Sequence, residues 1–214
     1  MPEYAVKQGD YLSKIAGNFG FSDYRTIWDH PANAELKKKR ENPNILHPGD
    51  SLFIPEKELK TESGATEQMH SFKRHGHQLK LRLRLLDFDN KPLANTDCTL
   101  HVEGKVHELT TDSDGRIEEK IPTTAQDAVL IFKDPLVPFD QSMCIKIGHL
   151  DPVEEVSGQK ARLGNLGYFY SRGDDWDEER FNYAIQEFQC DHDLTVDGIC
   201  GPETCLKLKQ VHGS

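Results

Sequence analysis

No apolar run in the 214 residues approaches the roughly 18 needed to cross a bilayer, so no membrane-spanning helix is expected. Basic residues are in deficit: 26 Lys and Arg against 36 Asp and Glu give a net charge of −10. That charge repels polyanions, so neither nucleic acid nor an anionic membrane surface is expected as a partner. A neutral or zwitterionic glycan remains compatible. Hydrophobic residues make up only 36% and mean hydropathy is −0.66, too little for one large core and in keeping with several small modules. The opening residues Met1-Pro2-Glu3-Tyr4 lack the basic and apolar regions of a Sec-type signal, which predicts a cytoplasmic location in the producer, with any delivery to a periplasm by a non-Sec route. The five cysteines are odd in number and have no framework spacing, which fits a reduced compartment better than a disulfide scaffold. Gly-x-Ser-x-Gly, His-Glu-x-x-His, P-loop and Cys-His nucleophile patterns are all missing. The chain is therefore expected to be no enzyme, with no catalytic residue and no cofactor.

What is there begins between Tyr4 and Pro55. Tyr4 and Val6 alternate as a half-buried strand does, Gly9-Asp10 marks a turn, and Leu12, Ile15, Ala16 and Phe19 recur at helical spacing. Pro48-Gly49-Asp50 makes a second turn, after which Leu52 and Ile54 alternate until Pro55. With these end motifs, residues 1–57 resemble a LysM module. The resemblance implies a βααβ fold that binds N-acetylglucosamine glycans such as peptidoglycan or chitin. The sugar would lie in a groove between the loop Gly9, Asp10, Tyr11, Leu12 and the loop Asn44, Ile45, Leu46, His47. An apolar floor with backbone donors and acceptors suits an acetamido group. Gly9, Pro48 and Gly49 read better as turn formers, whereas Tyr11, Ile45 and Leu46 fit a sugar contact and a purely structural role equally well.

The segment between Phe21 and Asn42 is longer than in a minimal LysM. Ser22 is placed to cap a helix carrying Tyr24, Ile27 and Trp28, and the run Lys37-Lys38-Lys39-Arg40 reads as a solvated, dipole-favoured helix end. The sequence resembles LysM proteins encoded beside bacterial contractile (type VI) secretion machinery, which implies secretion-spike or effector proteins as partners.

Residues 58–77, poor in apolar side chains, read as a linker. The imidazoles of His70, His75 and His77 lie there without a suitably spaced carboxylate or thiol, so they read as solvated rather than as metal ligands. Over 78–150, Leu79, Leu81, Leu83 and Leu85 alternate with Lys80, Arg82 and Arg84, and further short strands follow through Phe132, separated by Asp- and Gly-rich turns. This pattern predicts a small β-sandwich and is similar to transthyretin-like, carboxypeptidase-regulatory-type domains. Asp112, Asp114 and Gly115 lack the remaining ligands of a calcium loop and read as a turn. Pro135 to Pro152 is a proline-punctuated connection.

In 151–214, the pattern Gln159-x-x-x-Leu163-x-x-Leu166-Gly167-Tyr168 is followed by Phe181, Ala184, Ile185, Phe188-Gln189, and then Val196-Asp197-Gly198-x-x-Gly201-Pro202-x-Thr204. The motifs resemble the three-helix peptidoglycan-binding domain of wall hydrolases, which implies peptidoglycan strands as ligand and a cleft bordered by the loop of Asp197 and Gly198; these two residues and Gly201 read mainly as turn formers and only secondarily as ligand contacts. Phe181, Ala184, Ile185 and Phe188 form one helix face, Asp175 with Glu178 suits that helix's start, and Pro202 opens the last helix. The acidic run from Asp174 to Glu179 is explained by the helix dipole and not by paired catalytic carboxylates. Cys190, His192, Cys200 and Cys205 have zinc-ligand chemistry, but C-x-H-x7-C-x4-C matches no standard site. Buried thiols or an incidental disulfide are expected there and no metal. The fold class expected is α+β multidomain: the βααβ module, the β-sandwich and the helical domain.

Overall fold

The computed structural model describes residues 3–57, 61, 63–71, 79–87, 89–132, 142–170 and 178–214. The protein is mixed α/β and divides into two compact units, Met1–His149 and Leu150–Ser214.

In the first unit β1 (Glu3–Ala5) pairs antiparallel with β2 (Ser51–Phe53), Tyr4 opposite Leu52. Between them run α1 (Leu12–Asn18), α2 (Arg25–Trp28), a 3-10 turn (Pro31–Asn33) and α3 (Ala34–Lys39). Of the residues whose spacing predicted these elements, Val6, Leu12, Ile15, Ala16, Ile27, Trp28, Leu52 and Ile54 bury one core, which Leu46 joins, whereas Phe19 is 38% exposed and lies outside it. Each large side chain contributes roughly 1.5–3 kcal/mol by leaving water. Asn33 ties the helical segment to the sheet, its amide donating to Ile27 O at 2.8 Å and Phe53 O at 2.9 Å and its Oδ1 accepting from Phe53 N at 2.8 Å.

Two local expectations are corrected. Ser22 caps no helix; Asp23 Oδ1 accepts from Arg25 N at 2.8 Å, and Tyr24 occupies the cap position. The basic run is not uniformly a solvated face, because Arg40 is buried against Asp50 with Nε–Oδ2 at 2.8 Å and Nη2–Oδ1 at 3.1 Å. The bidentate geometry offsets the cost of desolvating both charges. Burial alone would raise the Asp50 carboxyl, but hydrogen bonds from Arg40 and the His47 amide, with the charges of Arg40 and Lys39, hold it below its ordinary range.

The same unit contains β3 (Leu79–Arg84) paired with β6 (Arg116–Ile121), Leu79 opposite Ile121 and Leu83 opposite Ile117. A four-stranded antiparallel sheet has the order β5 (Lys105–Thr110), β4 (Asp97–Val102), β7 (Asp127–Phe132), β8 (Ser142–Lys146). Alternation sends Leu79, Leu81, Leu83, Ile117 and Ile121 of one sheet and Cys98, Leu100, Val102, Ala128, Leu130 and Phe132 of the other into one core. The aspartates predicted as turn formers act as such. Asp87 Oδ1 accepts from Asp89 N and Lys91 N, both at 2.9 Å, and Asp112 Oδ1 accepts from Asp114 N at 2.9 Å and Arg116 N at 2.8 Å. β8 was not expected within the proline-punctuated stretch; among the described residues it pairs with β7 alone, at the end of the sheet, and its largely exposed side chains leave little alternation to read.

The second unit consists of α4 (Val156–Asn165), α5 (Glu178–Asp191) and α6 (Pro202–His212). Phe181, Ala184, Ile185 and Phe188 form the predicted buried face of α5 and meet Val153, Leu163 and Leu208. Pro202 opens α6. Gly158 admits no side chain, since a Cβ there would lie 1.9 Å from Pro152 O. Through this contact the buried Arg162 reaches Asp151 O and Gly158 O, both at 2.8 Å, and Ser214 O at 3.0 Å. Asp175 and the acidic run through Asp177 lie outside the described residues.

Candidate functional site

The turn between α5 and α6 is built around one buried amide. Gln189 is 1% exposed, and its Nε2 donates to Asp197 Oδ1 at 2.8 Å, Ile199 O at 3.0 Å and Thr204 Oγ1 at 3.0 Å. Its Oε1 accepts from Asp197 N and Gly198 N, both at 3.0 Å. One side chain thus satisfies backbone groups on both arms of the turn and the first turn of α6. Asp197 Oδ1 also accepts from Ile199 N at 2.8 Å; that bond first, and the Gln189 bond second, lower its carboxyl below the usual range. Gly198 sits at φ +73°, where a Cβ would also press on Gln186. Asp197 and Gly198 therefore shape the turn, whose solvent face carries, beside Thr195 and Asp197, two large apolar side chains: Val196 is 53% and Ile199 65% exposed.

The two loops read from the LysM resemblance lie side by side, Leu12 N donating to Pro43 O at 3.2 Å and Ser13 Oγ to Asn44 Oδ1 at 3.5 Å. Their side chains are unequally available. Asp10 is buried and accepts from Tyr4 Oη at 2.7 Å and Lys7 N at 3.0 Å, while Leu12 and Leu46 belong to the core. Asn44, Ile45 and His47 are half-buried, and the His47 amide donates to Asp50 Oδ2 at 2.9 Å.

Tyr11 departs from the expectation most clearly. It is 1% exposed and packs in the core of the β-sheets, its hydroxyl donating into the carbonyls of Ala125 at 2.8 Å and Thr123 at 2.9 Å. Burial, reinforced by the charge of Glu103, pushes its phenol up to about 12. Gly148 faces it so closely that a Cβ would lie 2.5 Å from Tyr11 Cδ1, and a Cβ on Gly9 would lie 3.0 Å from His149 Nε2. The first loop thus seats its aromatic on the β-domain, and in this arrangement Tyr11 gives no floor to a sugar.

Residues 153–208 match the family model described as "Putative peptidoglycan binding domain". No curated protein and no solved structure matches the chain. The helical unit accordingly carries a peptidoglycan-binding domain, and the Gln189-centred turn lies within the matched residues.

The central role of Gln189 was not read from the sequence, although a signal was present. It follows Ile185 by four residues on the apolar face of α5, and a polar residue at a core position has to be hydrogen-bonded from within. Among the described residues no three His, Cys, Asp or Glu side chains gather as a metal site would require. Cys190 is exposed, whereas Cys200 and Cys205 are half-buried with their sulfurs 3.2 Å apart. His75 and His77 lie outside the described residues.

Proposed function

We propose that the chain is a non-catalytic peptidoglycan-binding protein, its helical unit supplying one wall-binding module and a LysM-like module over residues 1–57 supplying a second. The observation that carries this reading is the family match over 153–208. The antiparallel pairing of β1 with β2 around a helical middle supports the LysM assignment, although three α-helices and a 3-10 turn stand between the strands where two helices were expected, and the two sheets sharing one core support a transthyretin-like β-sandwich as spacer. In the N-terminal module Asn44, Ile45 and His47 are the half-buried positions left to meet an acetamido sugar, with the backbone of Gly9, Asp10 and Leu12 beside them. In the helical unit Asp197 and Gly198 hold the turn that borders the ligand. Two weak sites on one chain gain apparent affinity if the wall presents both ligands within reach. In the test, the full chain is mixed with purified sacculi and centrifuged. The protein is expected in the pellet, with no muropeptide or reducing sugar released. Reproducible release that depends on one side chain would make it a hydrolase and end this reading.

The second reading, an adaptor of a type VI secretion or phage-tail-like machine resident in the producer's cytoplasm, is favoured by Tyr11. That loop already packs its aromatic against the chain's own β-sheets, which supports a surface that serves protein rather than sugar. Failure to pellet with sacculi, together with capture of a spike or effector protein, would put it first.

A further inference from the structure

We propose that Cys200 and Cys205 form a redox site, a dithiol that closes to a disulfide and fastens the turn before α6 to that helix. The two sulfurs lie 3.2 Å apart, so closure to the roughly 2.05 Å of a disulfide asks for a movement of about 1.2 Å. Cys200 ends the turn and Cys205 stands on the first turn of α6, its amide bonded to Gly201 O at 2.8 Å. The Cys205 sulfur also lies 3.3 Å from Cys200 O, 3.7 Å from Val153 O and 3.7 Å from Gln159 Nε2. Both cysteines are half-buried, so a small oxidant reaches them. The Cys200 thiol, by its hydrogen bond, holds the Cys205 thiol below its ordinary range against the opposing effects of burial and Glu154, and the same contact with burial pushes Cys200 up. Cys205 stands on the first turn of α6, where the helix N-terminus favours a thiolate, and is the attacking group, with Cys200 the resolving one. The neighbouring charges of Arg162 and Lys209 favour the thiolate at Cys205.

The oxidant is a disulfide, either a small thiol's or that of a dithiol oxidase. The Cys205 thiolate attacks one sulfur of R–S–S–R, forming a mixed disulfide and expelling one RS−, which takes up the proton Cys205 gave. Cys200 loses its proton and attacks the Cys205 sulfur, expelling the second thiolate, which is protonated in turn. Two cysteine thiols are oxidised, one disulfide is reduced to two thiols, and the chain loses two hydrogen atoms. The proposal does not depend on whether the unit binds peptidoglycan.

To test it, the full chain is equilibrated with oxidised glutathione, quenched by an alkylating reagent and mapped by mass spectrometry. Cys200 and Cys205 are expected to lose alkylation together by about tenfold, with a cross-link between them and no retained glutathione, and dithiothreitol should restore both thiols. Cys190→Ser is expected to leave the cross-link intact, whereas Cys205→Ser leaves Cys200 alkylated or glutathionylated. On oxidation, amide exchange at Ile199 and Gly201 is expected to slow by about tenfold. Cross-linking of Cys190 to either residue, separate glutathione adducts on Cys200 and Cys205, or unchanged exchange in the cross-linked chain would each overturn the proposal.

Discussion

The chain holds two loops that sequence motifs single out, one in each unit, and they are stabilised in opposite ways. The Gly9–Leu12 loop is held from outside its own core: Tyr11 leaves the core packed around β1 and β2 and enters that of the β-sheets. The turn before α6 is held from behind, by Gln189 reaching out of the helical core to bond both its arms. In the first case the loop's large apolar side chain is consumed by the fold. In the second, a polar hub carries the stabilisation and the apolar side chains Val196 and Ile199 remain exposed. A loop is free to present its side chains to solvent only when something else fixes its backbone, and the turn of the second unit meets that condition.

The largest effect is expected where the first loop is anchored. Tyr11→Ala removes a fully buried ring and should cost about 3–5 kcal/mol in the stability of the first unit, whereas Tyr11→Phe, losing only the hydroxyl that serves Ala125 O and Thr123 O, should cost about 1 kcal/mol. Denaturant titration of the full chain measures both. If Tyr11→Phe leaves stability untouched but abolishes glycan binding, Tyr11 is a sugar contact after all and the contrast between the loops fails.

Next comes Gln189→Leu, which keeps the bulk of the side chain but takes the acceptor from the buried amide of Gly198 and leaves Asp197 N and Ile199 O only their bonds to Thr195 O and Gly201 N. A loss of about 1–3 kcal/mol is expected from the Gly198 amide left buried without an acceptor, together with weaker pelleting with sacculi. Full stability in this variant would show that the turn needs no hub.

These two residues mark what the sequence could and could not disclose. The α5 face was legible because helical period alone selects Phe181, Ala184, Ile185 and Phe188, and the Asp112 turn because an aspartate ahead of Gly115 has a local hydrogen-bonding reason to be there. Tyr11 was not, because an aromatic in a loop looks the same whether it faces a sugar or a neighbouring sheet; the deciding carbonyls lie more than a hundred positions away. Arg40 was hidden for a related reason. Three lysines precede it, and only the fold brings Asp50 to its guanidinium. Gln189 stood in plain view at a core position, and its polarity there was the unused signal.

Acid provides a change that acts in the second unit through imidazoles that burial lowers, His192 and, further, His212. Burial, aided by the Arg162 charge, lowers His212 from 6.5 to about 4, so the folded chain keeps this imidazole neutral. Once the pH drops below the ordinary histidine value, the unfolded chain takes up a proton that the folded one refuses, and stability must fall with pH from about 6.5 to about 4. His212→Gln is expected to flatten that part of the unfolding profile. An unchanged slope would assign the acid sensitivity to other groups.

The smallest and most local test asks whether the first module retains a sugar site despite the seating of Tyr11. Ile45 is half-buried in the second of its two loops, beside Asn44 and His47. If an acetamido methyl rests on Ile45, the change Ile45→Asp puts a charge where an apolar group must be covered, and binding should weaken by about 1–3 kcal/mol with little effect on the fold, since loop positions tolerate substitution. Lys38→Glu is the control, because Lys38 is exposed and pairs only with its neighbour Glu35 among the described contacts, an arrangement worth a few tenths of a kcal/mol at most. The full chain, not the excised N-terminal segment, has to be titrated with chito-oligosaccharides, because Tyr11 needs the β-domain to be buried. Amide shifts that follow Ile45, vanish in Ile45→Asp and persist in Lys38→Glu would give the first unit a working groove beside its anchored loop. Shifts confined to the Gln189-held turn would leave the helical unit as the wall binder and the N-terminal module to protein contacts.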